Sequence, residues 1–312
     1  MRIANNMMSD RLLANLQRSY AQMATTQEQI STGRRVNRPS DDPVAAATER
    51  LRNADLEGIR RSQDSVAAAT GWLTASESAL SSLGDVVARA RELALQGANA
   101  STDPNGRNLI ANEIDQLVKA AKDGVNVKYG DAYIFSGTQS DVPPYAAATG
   151  DAYQGDAGAV IREAGPGASL QVNAPFVPVG ATTTQPLTGL SILGGGNAAG
   201  DGRILDALET IAAHLRAGNT AALGTTDLQA LDANARAVSD ARGAIGATLN
   251  RADAATSRLQ GLEDLTVKGV DDLTGVDMAK AITDFTAQQS AYQAALKVGA
   301  QIIQPSLVDF LR

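Results

Sequence analysis

The sequence predicts a mainly α-helical fold: an elongated antiparallel helical bundle or coiled coil carrying a small inserted β-rich domain. Three observations predict it. Apolar residues recur at three-four spacing in long segments at both ends of the 312-residue chain and in the blocks between them. Alanine is abundant while aromatic residues make up only 4%, which suits long, closely packed helices better than an aromatic core. Over residues 129–200 the helical pattern fails, and Gly, Pro and Thr crowd around short β-prone runs.

The first element is a helix over about residues 3–32. Its stripe is Leu13, Leu16, Tyr20, Met23 and Ile30, with Gln27 completing the series, and Gly33 stops it. The stretch STGRRVNRPSDDPVAA follows. Gly33, Arg34, Arg35, Asn37, Pro39, Asp41, Asp42 and Pro43 read as an interdomain joint. Asp42 can accept orphan backbone N–H groups of the next helix, and proline at a first helical position loses nothing. Ser40 and Asp41 are alternative caps, and Arg34, Arg35 and Arg38 are expected to face solvent or a neighbouring acidic surface.

A long helix continues through Val66, Leu73, Leu80, Leu83, Val87 and Ala94. NASTDPNGR turns the chain, with Asp103 and Pro104 repeating the cap-proline device, and a helix through Ile110, Ile114, Leu117 and Ala121 follows. In the insertion, Tyr133–Phe135, Val160–Arg162 and Ser169–Val172 are the strand-like runs, and GGGN reads as an exit linker. Beyond it come a short helix through Leu205, Leu208, Ile211 and Leu215 and a long one through Leu228, Leu231, Val238, Ile245 and Leu259. The last helix carries Met278, Ile282, Phe285, Tyr292, Leu296 and Ile303, interleaved with Gln289 and Gly299, and Pro305 ends it. Three domains are expected: 1–42 with 271–312, 43–128 with 201–270, and the insertion 129–200.

A single greasy stripe on a helix of about 30 residues needs a partner in water. Residues 1–61 hold ten basic and seven acidic side chains, residues 263–312 four and seven, so charge favours pairing of the two ends. The total charge of −7 disfavours nucleic acid as a partner. No apolar run is long enough for membrane insertion, and MRIANNMMSDR lacks the apolar core of a cleavable signal peptide. Without cysteine there is no thiolate or disulfide chemistry. Asp41 and Asp42 could serve as acid and base or hold a metal. Such sites recruit further ligands, however, and the single histidine, His214, reads as a surface or cap residue. The expectation is a non-enzyme with no cofactor.

MRIANNMM, STGRRVNRPSDDPVAA, YIFSGTQSDVPPY and QAALKVGAQIIQPSLVDFLR together resemble the flagellin-related axial proteins of the bacterial flagellum. Pro39 and Pro43 depart from the usual flagellin joint toward the hook–filament junction members. The resemblance implies a homo-oligomeric ring or helical layer whose terminal helices form an inner coiled-coil tube, with the insertion as an outward knob. It implies flagellin and hook-associated protein 1 as partners, an export chaperone on the C-terminal helix, and an extracellular place reached by unfolded export. A flagellin filament subunit and a needle-tip protein of a related type III secretion system are the alternatives.

Overall fold

The computed structural model describes residues 2–99, 101–146, 151–196 and 199–303. Among the described residues eight α-helices and six short strands follow in the order α1 (Arg2–Thr32), α2 (Pro43–Ala98), α3 (Pro104–Val125), β1 (Lys128–Tyr129), β2 (Ala132–Tyr133), β3 (Ile161–Glu163), β4 (Ser169–Gln171), β5 (Pro175–Phe176), β6 (Gln185–Pro186), α4 (Gly189–Leu193), α5 (Ile204–Ala217), α6 (Thr220–Ala222), α7 (Leu228–Thr274) and α8 (Met278–Ile303). The mainly helical class expected from the sequence is the one observed. The chain divides into two compact units, 1–58 with 262–312 and 59–261, the divisions falling inside α2 and α7.

In the 59–261 unit the three-four rhythm becomes a core. Leu73, Leu80, Leu83 and Ala90 of α2, Ile114 and Ala121 of α3, Leu208 and Ile211 of α5, and Leu231, Ile245 and Leu259 of α7 are all almost fully buried in one cluster. Alanines and glycines let the helices close up. A β-carbon at Gly97 would lie 2.2 Å from Leu215 Cδ2. Caps set the helix ends where the sequence places them. The Asp103 carboxylate accepts the Gly106 N–H at 2.7 Å ahead of α3, and Gly218, at φ +70°, ends α5 in the left-handed conformation that only glycine adopts freely. His214, expected as a surface or cap residue, lies half-buried in the last turn of α5. Its Nδ1 lies 2.7 Å from Oδ2 of the buried Asp227, which stands in a wide helical turn ahead of α7.

Among its described residues the insertion holds three antiparallel two-stranded ribbons, β1–β2, β3–β4 and β5–β6, whose first two strand pairs include Tyr133, Ile161–Glu163 and Ser169–Gln171. α4 is an element the sequence reading missed. GGGN is described only through Gly196, and its Asn197 lies outside the described residues. Ribbons this short are not stable alone; here Phe135, Leu170, Val172 and Phe176 are buried in the same cluster as the helices. Tyr145 fastens the region. Its side chain is fully buried, its hydroxyl lies 2.9 and 2.7 Å from the Gly189 and Gly194 carbonyls, and the Asn126 side chain bonds its backbone at both ends. Burial pushes the phenol well above its usual range, so it stays a donor. Tyr145→Phe removes the one donor shared by the two carbonyls and is expected to cost about 1–3 kcal/mol in denaturant unfolding followed by the fluorescence of Trp72, the only tryptophan.

Candidate assembly site: paired termini and their joint

Within the unit formed by residues 1–58 and 262–312, α1 and α8 run antiparallel against each other. Tyr20 and Tyr292 stack tilted at 6.2 Å, Thr26 Oγ1 donates to Gln288 Oε1 at 3.2 Å, and Leu12 covers Gly299, where a β-carbon would come within 2.7 Å. The residues turned toward the partner are Leu12, Leu16, Ser19, Met23, Thr26 and Ile30 on α1 and Ala281, Phe285, Gln288, Tyr292, Ala295 and Gly299 on α8, all buried or half-buried.

This places each expected seam residue. Leu16, Met23, Ile30, Phe285 and Tyr292 turn toward the partner helix, whereas Leu13, Met278, Ile282 and Leu296 are exposed, and so is most of Tyr20, at 59%. Ile303 ends α8, and its side chain lies outside the described residues. The physical reason is angular. Leu13, Tyr20, Ile282 and Leu296 each follow an inward residue by one position, which turns them about 100° around the helix. In an antiparallel pair the same rotation carries both stripes to the same side. The two helices therefore share a seam in which Ser19, Thr26, Ala281, Gln288, Ala295 and Gly299 alternate with larger apolar residues, and beside it Leu13, Tyr20, Ile282 and Leu296 stand exposed on one side, interspersed with glutamines.

The joint lies at the other end of the pair. Gly33 takes φ +70° and stops α1; its carbonyl accepts the Val276 N–H at 3.1 Å, and the Arg35 N–H donates to the Thr274 carbonyl at 2.7 Å. The link between α1 and α2 is thus stitched to the link between α7 and α8 by an antiparallel bridge of Arg34 with Gly275. Asp41 accepts the N–H groups of Asn37 and Arg38 at 3.1 and 2.8 Å, and Asp42 caps α2 through the Ala45 N–H at 3.0 Å. Both carboxylates are spent on holding backbone, and the geometry offers no acid–base pair. Among the described residues no group of three or more histidine or acidic side chains is placed to hold a metal. The Ala45 N–H, and after it the Arg35 guanidinium, hold the Asp42 carboxyl below its usual range.

The joint arginines stay largely exposed, and each meets a carboxylate of its own chain. Arg34 pairs with Glu49, Arg35 reaches Asp42 at 3.3 Å and the Leu273 carbonyl at 2.9 Å, and Arg38 reaches Glu28 at 3.3 Å. They bind the joint to its own chain because the turn brings two helix ends and their carboxylates within reach. Asn37 bonds the Arg34 carbonyl at 3.2 Å, Val36 is buried on Ala45 and Ala46, and Pro39 and Pro43 keep the expected turn and helix-start positions. Gln29, Glu49 and Gly275 were not legible as joint residues, since nothing local marks them. Asp277 was passed over although it carries a local signal: it precedes α8 and accepts the Lys280 N–H at 3.1 Å, a cap of the kind used elsewhere in the chain.

The cap is testable. Asp42→Ala is expected to loosen the joint, while Asp42→Asn, which keeps a capping oxygen, is nearly silent at neutral pH. Because the folded carboxyl is held low, its contribution is complete above the ordinary carboxylate range and fades as pH falls through the lowered value. That acid-side loss should disappear in Asp42→Asn. Amide exchange at Ala45 and Ala46 reads both effects.

Residues 3–140 match the bacterial flagellin N-terminal helical region and residues 228–311 the bacterial flagellin C-terminal helical region, together more than two thirds of the chain. The chain belongs to the flagellin family. Within it, flagellar hook-associated protein 3 of Escherichia coli is 25% identical over 309 residues, covering 95% of both chains. Hook-associated protein 3 of Salmonella typhimurium is 30% identical over 162 residues, half of each chain. A solved structure assigned to the flagellar hook-associated proteins, from Vibrio parahaemolyticus, shares the fold with a TM-score of 0.63 at 20% identity, over 75% of this chain and 100% of that one. The terminal helices that match the family regions are the ones that pair here, and the flagellin-like regions support a flagellar structural role.

Proposed function

We propose that this chain is the adaptor subunit between hook and filament, exported unfolded and locked into a ring or helical layer by its terminal helices. One observation carries the reading: the α1–α8 pair leaves Leu13, Tyr20, Met278, Ile282 and Leu296 on its surface. Apolar side chains in such a row gain about 25 cal/mol per Å² when covered, and neighbouring copies in a layer would cover them. Contacts between identical subunits at a non-closing rise propagate helically. The three-part division of the sequence fits this role, with 1–42 and 271–312 innermost, 43–128 and 201–270 around them, and 129–200 outward. Flagellin on one side and hook-associated protein 1 on the other are the expected neighbours. Before assembly the apolar stripe of α8 suits the groove of a helical export chaperone.

The test is a strain lacking the gene. Expected are immotile cells with hooks but no filaments and with unpolymerised flagellin in the medium, all restored by the wild-type chain. Filaments of normal length on the deletion strain would overturn the adaptor reading. Growth of the purified chain into long filaments on seeds would assign it to the filament instead.

A further inference from the structure

The first turns of α2 carry a second apolar row that the terminal pair does not explain. Val44, Ala47, Leu51 and Ala54 repeat at heptad spacing, all are exposed, and Val44 and Leu51 keep 76% and 69% of their surface. Isolated exposed leucines are ordinary, but a heptad row of apolar residues is the form of a helix-packing seam. Arg50 flanks the row, exposed and with no partner among the described residues. Near the end of α7 the same unit presents Leu262 and Leu265, the latter 68% exposed, on a heptad row with Gly269 and Asp272; Arg52 of the same chain lies over Gly269. Around that row the exposed charges are Asp264, Asp271 and Asp272 against Lys268 and the Arg52 that lies over Gly269, three acidic against two basic.

We propose that the Val44–Ala54 row of one copy packs on the Leu262–Asp272 row of the next, with Leu51 against Leu265 and Arg50 facing Asp264. The occupant is a second copy because its α7 supplies what the α2 row lacks: two exposed leucines at the same helical spacing, and carboxylates that have no partner among the described residues, opposite the Arg50 guanidinium. The two rows differ, so the contact is heterologous and continues from copy to copy without a two-fold stop. This rests on the proposed layer and names a contact in it separate from the α1–α8 face.

The chain has no cysteine, so engineered ones report alone. Flagella are isolated from cells producing Leu51→Cys/Leu265→Cys, treated with a short bismaleimide and probed with antibody to this chain. A ladder of dimers and higher multiples is expected for the double variant and none for either single one. Chain present in the flagella without the ladder, or cross-linked to a protein of another mass, overturns the inference and leaves the adaptor reading standing. Absence of the wild-type chain from isolated flagella removes both. A charge exchange guards against a cysteine pair that fails to assemble. Arg50→Glu and Asp264→Arg should each lower incorporation about tenfold, and the combination should restore it to within about twofold. Failure of the combination to recover, with the wild-type chain incorporated, also overturns the contact.

Discussion

Gly33→Val is expected to abolish filament attachment while leaving export intact. Gly33 sits at φ +70°, and a β-carbon there would meet nothing within 4 Å. The penalty is therefore conformational rather than steric, about 1–2 kcal/mol for an ordinary side chain and larger for a β-branched one. The consequence outweighs that figure because the Gly33 carbonyl receives the Val276 N–H and its neighbour Arg34 bridges Gly275. A residue that leaves the left-handed region pulls the α1 exit away from the α7–α8 link, and the α1–α8 pair loses its anchored end. Gly33→Asn separates this from any loss of bulk tolerance, since asparagine accepts the left-handed conformation and should swim nearly normally. Motility, with secreted chain measured separately, is the readout. Equal motility of the valine and asparagine variants would sink the argument.

Ending the chain at Asp277 is expected to unfold two helices by deleting one. α1 turns Leu12, Leu16, Met23 and Thr26 toward α8, and without α8 these meet water. A helix held by one apolar stripe is marginal alone, and most of its stability comes from the partner. Helical circular dichroism should therefore fall by the share of α1 together with α8. The fluorescence of Trp72, buried in the 59–261 core, should stay that of the full-length chain. The truncated chain should neither enter flagella nor bind an export chaperone in a pull-down. A loss of helix signal limited to the 26 residues of α8 would show that α1 folds without its partner.

What the sequence determined by itself were the helices and their ends. Gly33, Asp42–Pro43 and Asp103–Pro104 act through φ, a missing N–H and a carboxylate three residues from its donor, all local chemistry, and the structure keeps each of them. The three-four rhythm of the inner helices was legible for the same reason, because a side chain's face follows from its position alone. What only the tertiary structure decided was which of two adjacent stripes on the terminal helices meets the partner. Leu12 and Leu13 are equally apolar and lie one step apart. Hydrophobicity ranked Tyr20 and Ile282 above Ser19 and Ala281, yet the small residues face inward because close helix approach rewards little bulk. The stitching of Arg35 to Thr274 and the capture of Tyr145 by Asn126 join residues far apart in the chain. No window of sequence holds both partners of such a bond, so the assembled chain alone sets the joint and leaves the apolar face of α1 and α8 outward.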